Sequence, residues 1–172
     1  MIKTDLKSTE YDVYYKRYID KLPDTIGLIE SFSAGKELTI DFFSKVPDNK
    51  LMYKYQPEKW SVKEVFQHLI DTERIFMYRC FRIARRDETA LAGFDQNIYV
   101  QPSNANHKTI DELISEFEIS RMNSIQLLKS LQNTDLCFIG NSNQSKISAR
   151  AAAFVIPGHN IWHIETIKNK YL

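Results

Sequence analysis

Residues 60–86, WSVKEVFQHLIDTERIFMYRCFRIARR, decide the fold class. Ser61 and Glu64 have the S-x-x-E spacing of a capping box, and Trp60 and Val65 stand at the two positions of a hydrophobic staple. A helix therefore starts here and is expected to run to about Arg86. Val62, Val65, Phe66, Leu69, Glu73, Phe76, Cys80 and Ile83 then share one side of it, a mostly apolar stripe interrupted by Glu73.

The same periodicity extends outward in both directions. Thr109 and Glu112 form a second capping box, opening a helix whose stripe is Ile110, Leu113, Ile114, Phe117, Leu128 and Leu131 and which ends near Asn133. Upstream, Ile26, Ile29, Phe32, Leu38, Phe42, Phe43 and Val46 recur at helical spacing until Pro47 stops them, with Gly35 a weak point in the middle. Near the C-terminus, Ser148 caps a helix reaching Lys170. Pro157 lies inside it and deprives the Ala153 carbonyl of its usual donor, so a kink is expected rather than a break. Four long helices make an all-α four-helix bundle the most economical architecture. The segment EYDVYYKRYIDKLP, residues 10–23, is an extra N-terminal piece expected to pack on the outside through its tyrosines.

A chain of 172 residues with 43% hydrophobic side chains suits one domain, spanning residues 1–172. Lys and Arg number 23 against 22 Asp and Glu, and no arm concentrates positive charge, which argues against nucleic acid or an anionic membrane as partner. The longest purely apolar run, Ala151 to Ile156, is far short of the roughly 20 residues that cross a bilayer, and the start MIKTDLKSTEYD has no signal-peptide core. A cytoplasmic protein is expected. Cys80 and Cys137 form no C-x-x-C pair, so neither a disulfide framework nor a thiolate zinc site is indicated, and Cys80 on the apolar stripe reads as an inert thiol.

Of four histidines, His159 and His163 are four apart on the last helix, where they stack on one face with Ala152, Ile156, Thr166 and Ile167. Both imidazoles can reach one metal ion in the bundle interior. His68, beside the stripe of the capped helix, is the best available third ligand. Three neutral imidazoles leave coordination positions for water or substrate, the arrangement of a catalytic rather than a structural site. Such a pair also arises by chance, and a histidine on an apolar face is more often a hydrogen-bonded core residue. Asp71, three residues after His68, is a candidate to orient a ligand from outside the coordination sphere, or simply a solvated charge. Arg79, Arg82, Arg85 and Arg86 form a basic helix end that could attract an anionic substrate, although cations are expected there from the helix dipole. His107, in QPSNANHK, reads as a loop residue.

KWSVKEVFQHLIDTERIFMYRCFRIARRD, then GFDQNIYV, then SARAAAFVIPGHNIWHIETIKNKYL resemble, in that order, the DinB-like superfamily in its DinB_2 and YfiT-related branch. The resemblance implies a four-helix bundle, often dimeric, with one divalent ion held by His68, His159 and His163. These are the three that spacing selects. Members commonly read G-H-E-x-H-H in the last motif, whereas here Asn160 replaces the glutamate, Trp162 the penultimate histidine, and Pro157 a frequent alanine. Family activities include joining a low-molecular-weight thiol to an electrophile, thiol-dependent isomerisation and metal-dependent hydrolysis, so fold does not settle reaction. The expectation is a small-molecule enzyme of the thiol S-transferase type. A hydrolase using metal-bound hydroxide is the alternative, and a non-catalytic bundle binding metal or partner helices is the third reading. Three imidazoles suit zinc or nickel among other divalent ions. Phe154, Ile161 and Ile164 leave the last helix apolar nearly all round, and a homodimer through it is expected.

Overall fold

Both capping boxes form. Ser61 Oγ accepts the Glu64 N–H at 3.1 Å while Glu64 accepts the Ser61 N–H at 2.7 Å, and Thr109 and Glu112 exchange the equivalent bonds at 3.2 and 2.6 Å. The computed structural model describes all residues, 1–172. Its helices are α1 (Val13–Ile19), α2 (Leu28–Ser44), α3 (Asp48–Leu51), α4 (Val62–Ala84), α5 (Asn97–Val100), α6 (Ile110–Lys129), α7 (Asn133–Leu136) and α8 (Ala149–Lys170), with strands β1 (Ile139–Ser142) and β2 (Ser145–Ser148) before the last. The four long ones, α2, α4, α6 and α8, form the expected bundle. Ser148 caps α8, which runs unbroken through Pro157. No helix is long and apolar enough to cross a membrane.

Around the bundle each long helix packs on two neighbours, in the order α2, α6, α4, α8. The first two long helices, α2 and α4, therefore face each other across the diagonal, as do the last two, α6 and α8. This places α8 directly beside α4 and brings the histidines of the two together.

The apolar core is divided in two along the bundle axis. Phe43, Phe66, Leu69, Phe117, Ile164 and Ile167 belong to one end, and Phe32, Phe76, Cys80, Ile125, Val155 and Ile156 to the other. Between them each helix contributes polar or small residues: Gly35 and Thr39, Thr72 and Glu73, Arg121 and Ser124, His159 and Asn160, all buried. Glu73, the break in the α4 stripe, meets Arg121, and neither side chain is exposed at all. Arg121 Nε donates to both Glu73 oxygens at 2.9 and 3.0 Å, Nη2 donates to Oε2 at 2.8 Å, and Nη1 donates to the Phe32 carbonyl at 3.0 Å. The Asn160 amide, oriented by its neighbours, accepts from Arg121 Nη2 at 2.9 Å and donates to the Ile156 carbonyl at 3.1 Å. Gly35 makes room, since a Cβ there would lie 3.1 Å from Arg121 Nη1.

Two features depart from the helical reading. Residues 139–148 form an antiparallel hairpin whose two-residue turn, Asn143 and Gln144, has φ of 52° and 63°, the conformation of a type I′ turn. The N-terminal segment packs on α8 through its tyrosines as expected, but more intimately than an outer layer. Tyr18 and Ile19 are buried, and Glu10 forms a buried ion pair with Arg150 of α8, Nε to Oε2 at 2.7 Å. A Cβ at Gly158 would sit 2.1 Å from the Tyr18 carbonyl oxygen, so a glycine there is what permits α1 to approach. Phe154, in the cluster that holds Tyr18 and Ile19, and Ile164, in the cluster of Phe43 and Phe66, are both covered within the chain, two of the three side chains on which the expectation of a dimer through α8 rests. Ile161 keeps part of its surface.

Candidate metal centre

His68 projects from the first half of α4, and His159 and His163 from the middle of α8, one turn apart. His159 Nε2 lies 3.2 Å from His68 Nε2 and 3.0 Å from His163 Nε2, and ligand atoms of all three lie within 4.8 Å of one another. Ring nitrogens bound at roughly 2.0–2.1 Å to one tetrahedral ion lie about 3.3 Å apart, close to these separations.

Protonation does not account for this convergence. Burial pulls the His68 pKa from 6.5 to about 4. It drives those of His159 and His163 well below the ordinary value, with the neighbouring imidazoles adding to the effect. The rings are neutral, and His159 Nε2, facing both other rings, has either one proton or one lone pair to offer, so it completes at most one of the two contacts as a hydrogen bond. His159 Nδ1 is buried with no hydrogen-bond partner, whereas His68 Nδ1 has Thr72 Oγ1 at 3.4 Å. Three neutral imidazoles with Nε2 converging, two of them buried and one half-buried, are a donor set that suits a divalent cation, so the residues present fit a metal.

Each imidazole is also braced by an aromatic ring. Trp60 lies 4.7 Å from His68, Tyr18 lies 5.0 Å from His159 and Trp162 lies 4.8 Å from His163, between ring centroids. Trp162 thus packs on the histidine that follows it. Trp60 reads from sequence only as half of a staple. Tyr18 belongs to a run whose i, i+4 spacing with Tyr14 marks a helix face but says nothing of where that face docks.

A cavity of about 360 Å³ opens on His68 and His159, and a second of about 200 Å³, lined by Tyr55, Trp60 and Trp162, opens on His163. The arrangement can therefore admit a small molecule beside the three rings.

Other candidates lie elsewhere. Asp71, expected to orient a ligand, accepts from Gln67 Nε2 at 3.1 Å and Arg74 Nη1 at 3.2 Å. The hydrogen bond to the His68 ring belongs to Thr72, one turn on from His68, while the Asp71 carboxylate is taken up by Gln67 and Arg74. His107 is exposed and Cys80 is buried, as expected. The four arginines do not form one basic end. Arg82 pairs with Asp87 and Arg86 with Asp135, while Arg79 turns inward and is 2% exposed.

The backbone resembles two solved structures. One is YfiT from Bacillus subtilis, a probable metal-dependent hydrolase with an unusual four-helix bundle topology, with TM-score 0.74 and 15% identity over 93% of this chain and 91% of that one. The other is a mycothiol-dependent maleylpyruvate isomerase, with TM-score 0.65 and 11% identity over 96% of this chain. This chain spans 62% of that isomerase. At these identities the likeness concerns the fold. No curated protein matches the sequence. The sequence itself matches the DinB superfamily over residues 31–167, most of its length, and the chain belongs to that superfamily.

Proposed function

We propose that the protein is a metal-dependent enzyme acting on small molecules, with His68, His159 and His163 holding one divalent ion, zinc or nickel by donor type, and a low-molecular-weight thiol as cosubstrate. The observation that carries the metal reading is the convergence of three ring nitrogens, with Nε2 separations of 3.0 and 3.2 Å, two of them from buried rings that line a 360 Å³ cavity. When bound, the ion would supply Lewis acidity, lowering the pKa of a thiol or water beside it. The chain's own residues hold, orient and shield. Thr72 fixes the His68 ring, Trp60, Tyr18 and Trp162 wedge the three imidazoles in place, and burial keeps all three unprotonated and available as donors. The two cavities, one lined by His68 and His159 and the other by His163, suit two reactants, which favours transfer of a thiol to an electrophile.

The likeness to the mycothiol-dependent isomerase supports the thiol, and the likeness to YfiT supports hydrolysis as the second reading. Turnover of an electrophile such as a chloronitrobenzene separates them. The thiol reading expects product only when a low-molecular-weight thiol is added, and product formed at the same rate without thiol favours the hydrolase.

A further inference from the structure

The 360 Å³ cavity is lined along one side by a single stripe of α4: His68, Thr72, Phe76 and Arg79, spaced four, four and three. At about 1.5 Å per residue the Cα atoms of His68 and Arg79 are about 16 Å apart along the axis, so these two residues bound the cavity at opposite ends. One end is the histidine triad. The other is a guanidinium.

That guanidinium is unusual within this chain. Buried arginines elsewhere meet a carboxylate, Arg121 with Glu73 and Arg150 with Glu10. Arg79 meets none. One of its N–H groups donates to the Ala92 carbonyl at 3.2 Å, the Tyr15 hydroxyl is a second hydrogen-bond partner, and its Cζ lies 4.8 and 5.6 Å from the Phe76 and Phe94 ring centroids. Aromatic faces, a carbonyl and the Tyr15 hydroxyl soften the burial of a cation but supply no counter-charge. The one carboxylate lining the cavity, Asp12, is already engaged, accepting from the Tyr14 N–H at 2.8 Å and the Ser145 hydroxyl at 3.1 Å.

We propose that Arg79 binds a carboxylate of the substrate at the end of the cavity away from the histidines, and so restricts this protein to small organic anions. The inference rests on the metal-dependent reading above and narrows its substrate class. A carboxylate accepts two parallel bonds from guanidinium and supplies the missing counter-charge. Phe76, Phe94 and Tyr15 would enclose an apolar body between that carboxylate and the triad. A cavity of this volume is at the small end of ligand sites, which suits a molecule of one ring or a short chain.

The test uses phenylacetate and its neutral isostere phenylacetamide as probes, followed by ligand-observed NMR titration of the full chain. The protein is first stripped of metal, so that no ion can attract the carboxylate. Wild type should bind phenylacetate at millimolar concentration and phenylacetamide about tenfold more weakly or worse. Arg79→Met should erase that preference, and Arg79→Lys, which keeps the charge but not the fork, should retain only part of it. Equal binding of the two probes by wild type, no binding of phenylacetate, or a preference that survives Arg79→Met would each overturn the proposal. Metal uptake is read separately. A charge preference in a protein that never takes up metal would leave Arg79 as an anion site and remove the metal reading, and uptake without preference would remove Arg79 alone.

Discussion

Replacing Glu73 by Ala tests the polar layer that divides the core. In the native chain Arg121 and Glu73 are fully enclosed and share three hydrogen bonds of 2.8–3.0 Å. Truncating Glu73 leaves a guanidinium with only the Phe32 carbonyl and the Asn160 amide oxygen as protein acceptors. A buried pair broken on one side costs about 3–5 kcal/mol, a large part of the 5–15 kcal/mol margin of a typical domain. With a urea m-value of about 2 kcal/mol/M the midpoint should fall by about 1.5–2.5 M, measured by circular dichroism at fixed metal content. The decisive variant is the double replacement Glu73→Leu with Arg121→Met, which removes both charges and keeps apolar volume. It should lie within about 1 kcal/mol of wild type or above it, far from the sum of the single losses. A Glu73→Ala loss below about 1 kcal/mol, or a double variant as unstable as the two singles added, would refute the view that the pair persists because each charge needs the other.

Three further outcomes follow from particular contacts. Gly158→Ala should destabilise by about 1–3 kcal/mol and speed proteolysis of the first twenty residues, because the new methyl meets the Tyr18 carbonyl. An ordinary mid-helix Gly→Ala would gain about 1 kcal/mol, so a raised Tm would refute the contact. Burial pushes the Cys80 thiol up to about 12, whereas Cys137 is exposed, so the native chain should titrate one thiol with Ellman's reagent at pH 8 and two after denaturation. Two fast native thiols would contradict that burial. Burial alone would raise the Glu10 pKa, but hydrogen bonds from Arg150 and Ser148 hold it below its ordinary 4.5. Its contribution is therefore present above that value and lost as pH falls through the lowered one. Glu10→Gln should lose about 1.5–3 kcal/mol at pH 7 and converge on wild type in acid, and a gap independent of pH would refute the ion pair.

What the sequence discloses here is what lies within a turn or two of itself. Ser61 with Glu64, Thr109 with Glu112, and His159 with His163 are all three or four residues apart, and each does what its spacing implies. Pairings across the bundle are different. Glu73 and Arg121 are 48 positions apart and Glu10 and Arg150 are 140, so Glu73 is visible only as a flaw in an apolar stripe until its partner is placed. The inward turn of Arg79 is hidden for a related reason, since Arg82, three residues on, has the same composition signal but reaches Asp87 at the surface. The hairpin escapes a search by periodicity because its strands have four residues each. Its turn, Asn143-Gln144, lacks the glycine that usually marks a type I′ turn.

The central claim, that His68, His159 and His163 form one metal site, is tested most directly by elemental analysis of protein prepared without an affinity tag. Wild type is measured beside the triple variant His68→Ala, His159→Ala, His163→Ala. The account predicts about one divalent ion per chain in wild type and none in the variant. A wild-type chain that carries no metal and takes up none on titration, or a triple variant that retains the wild-type content, would contradict it.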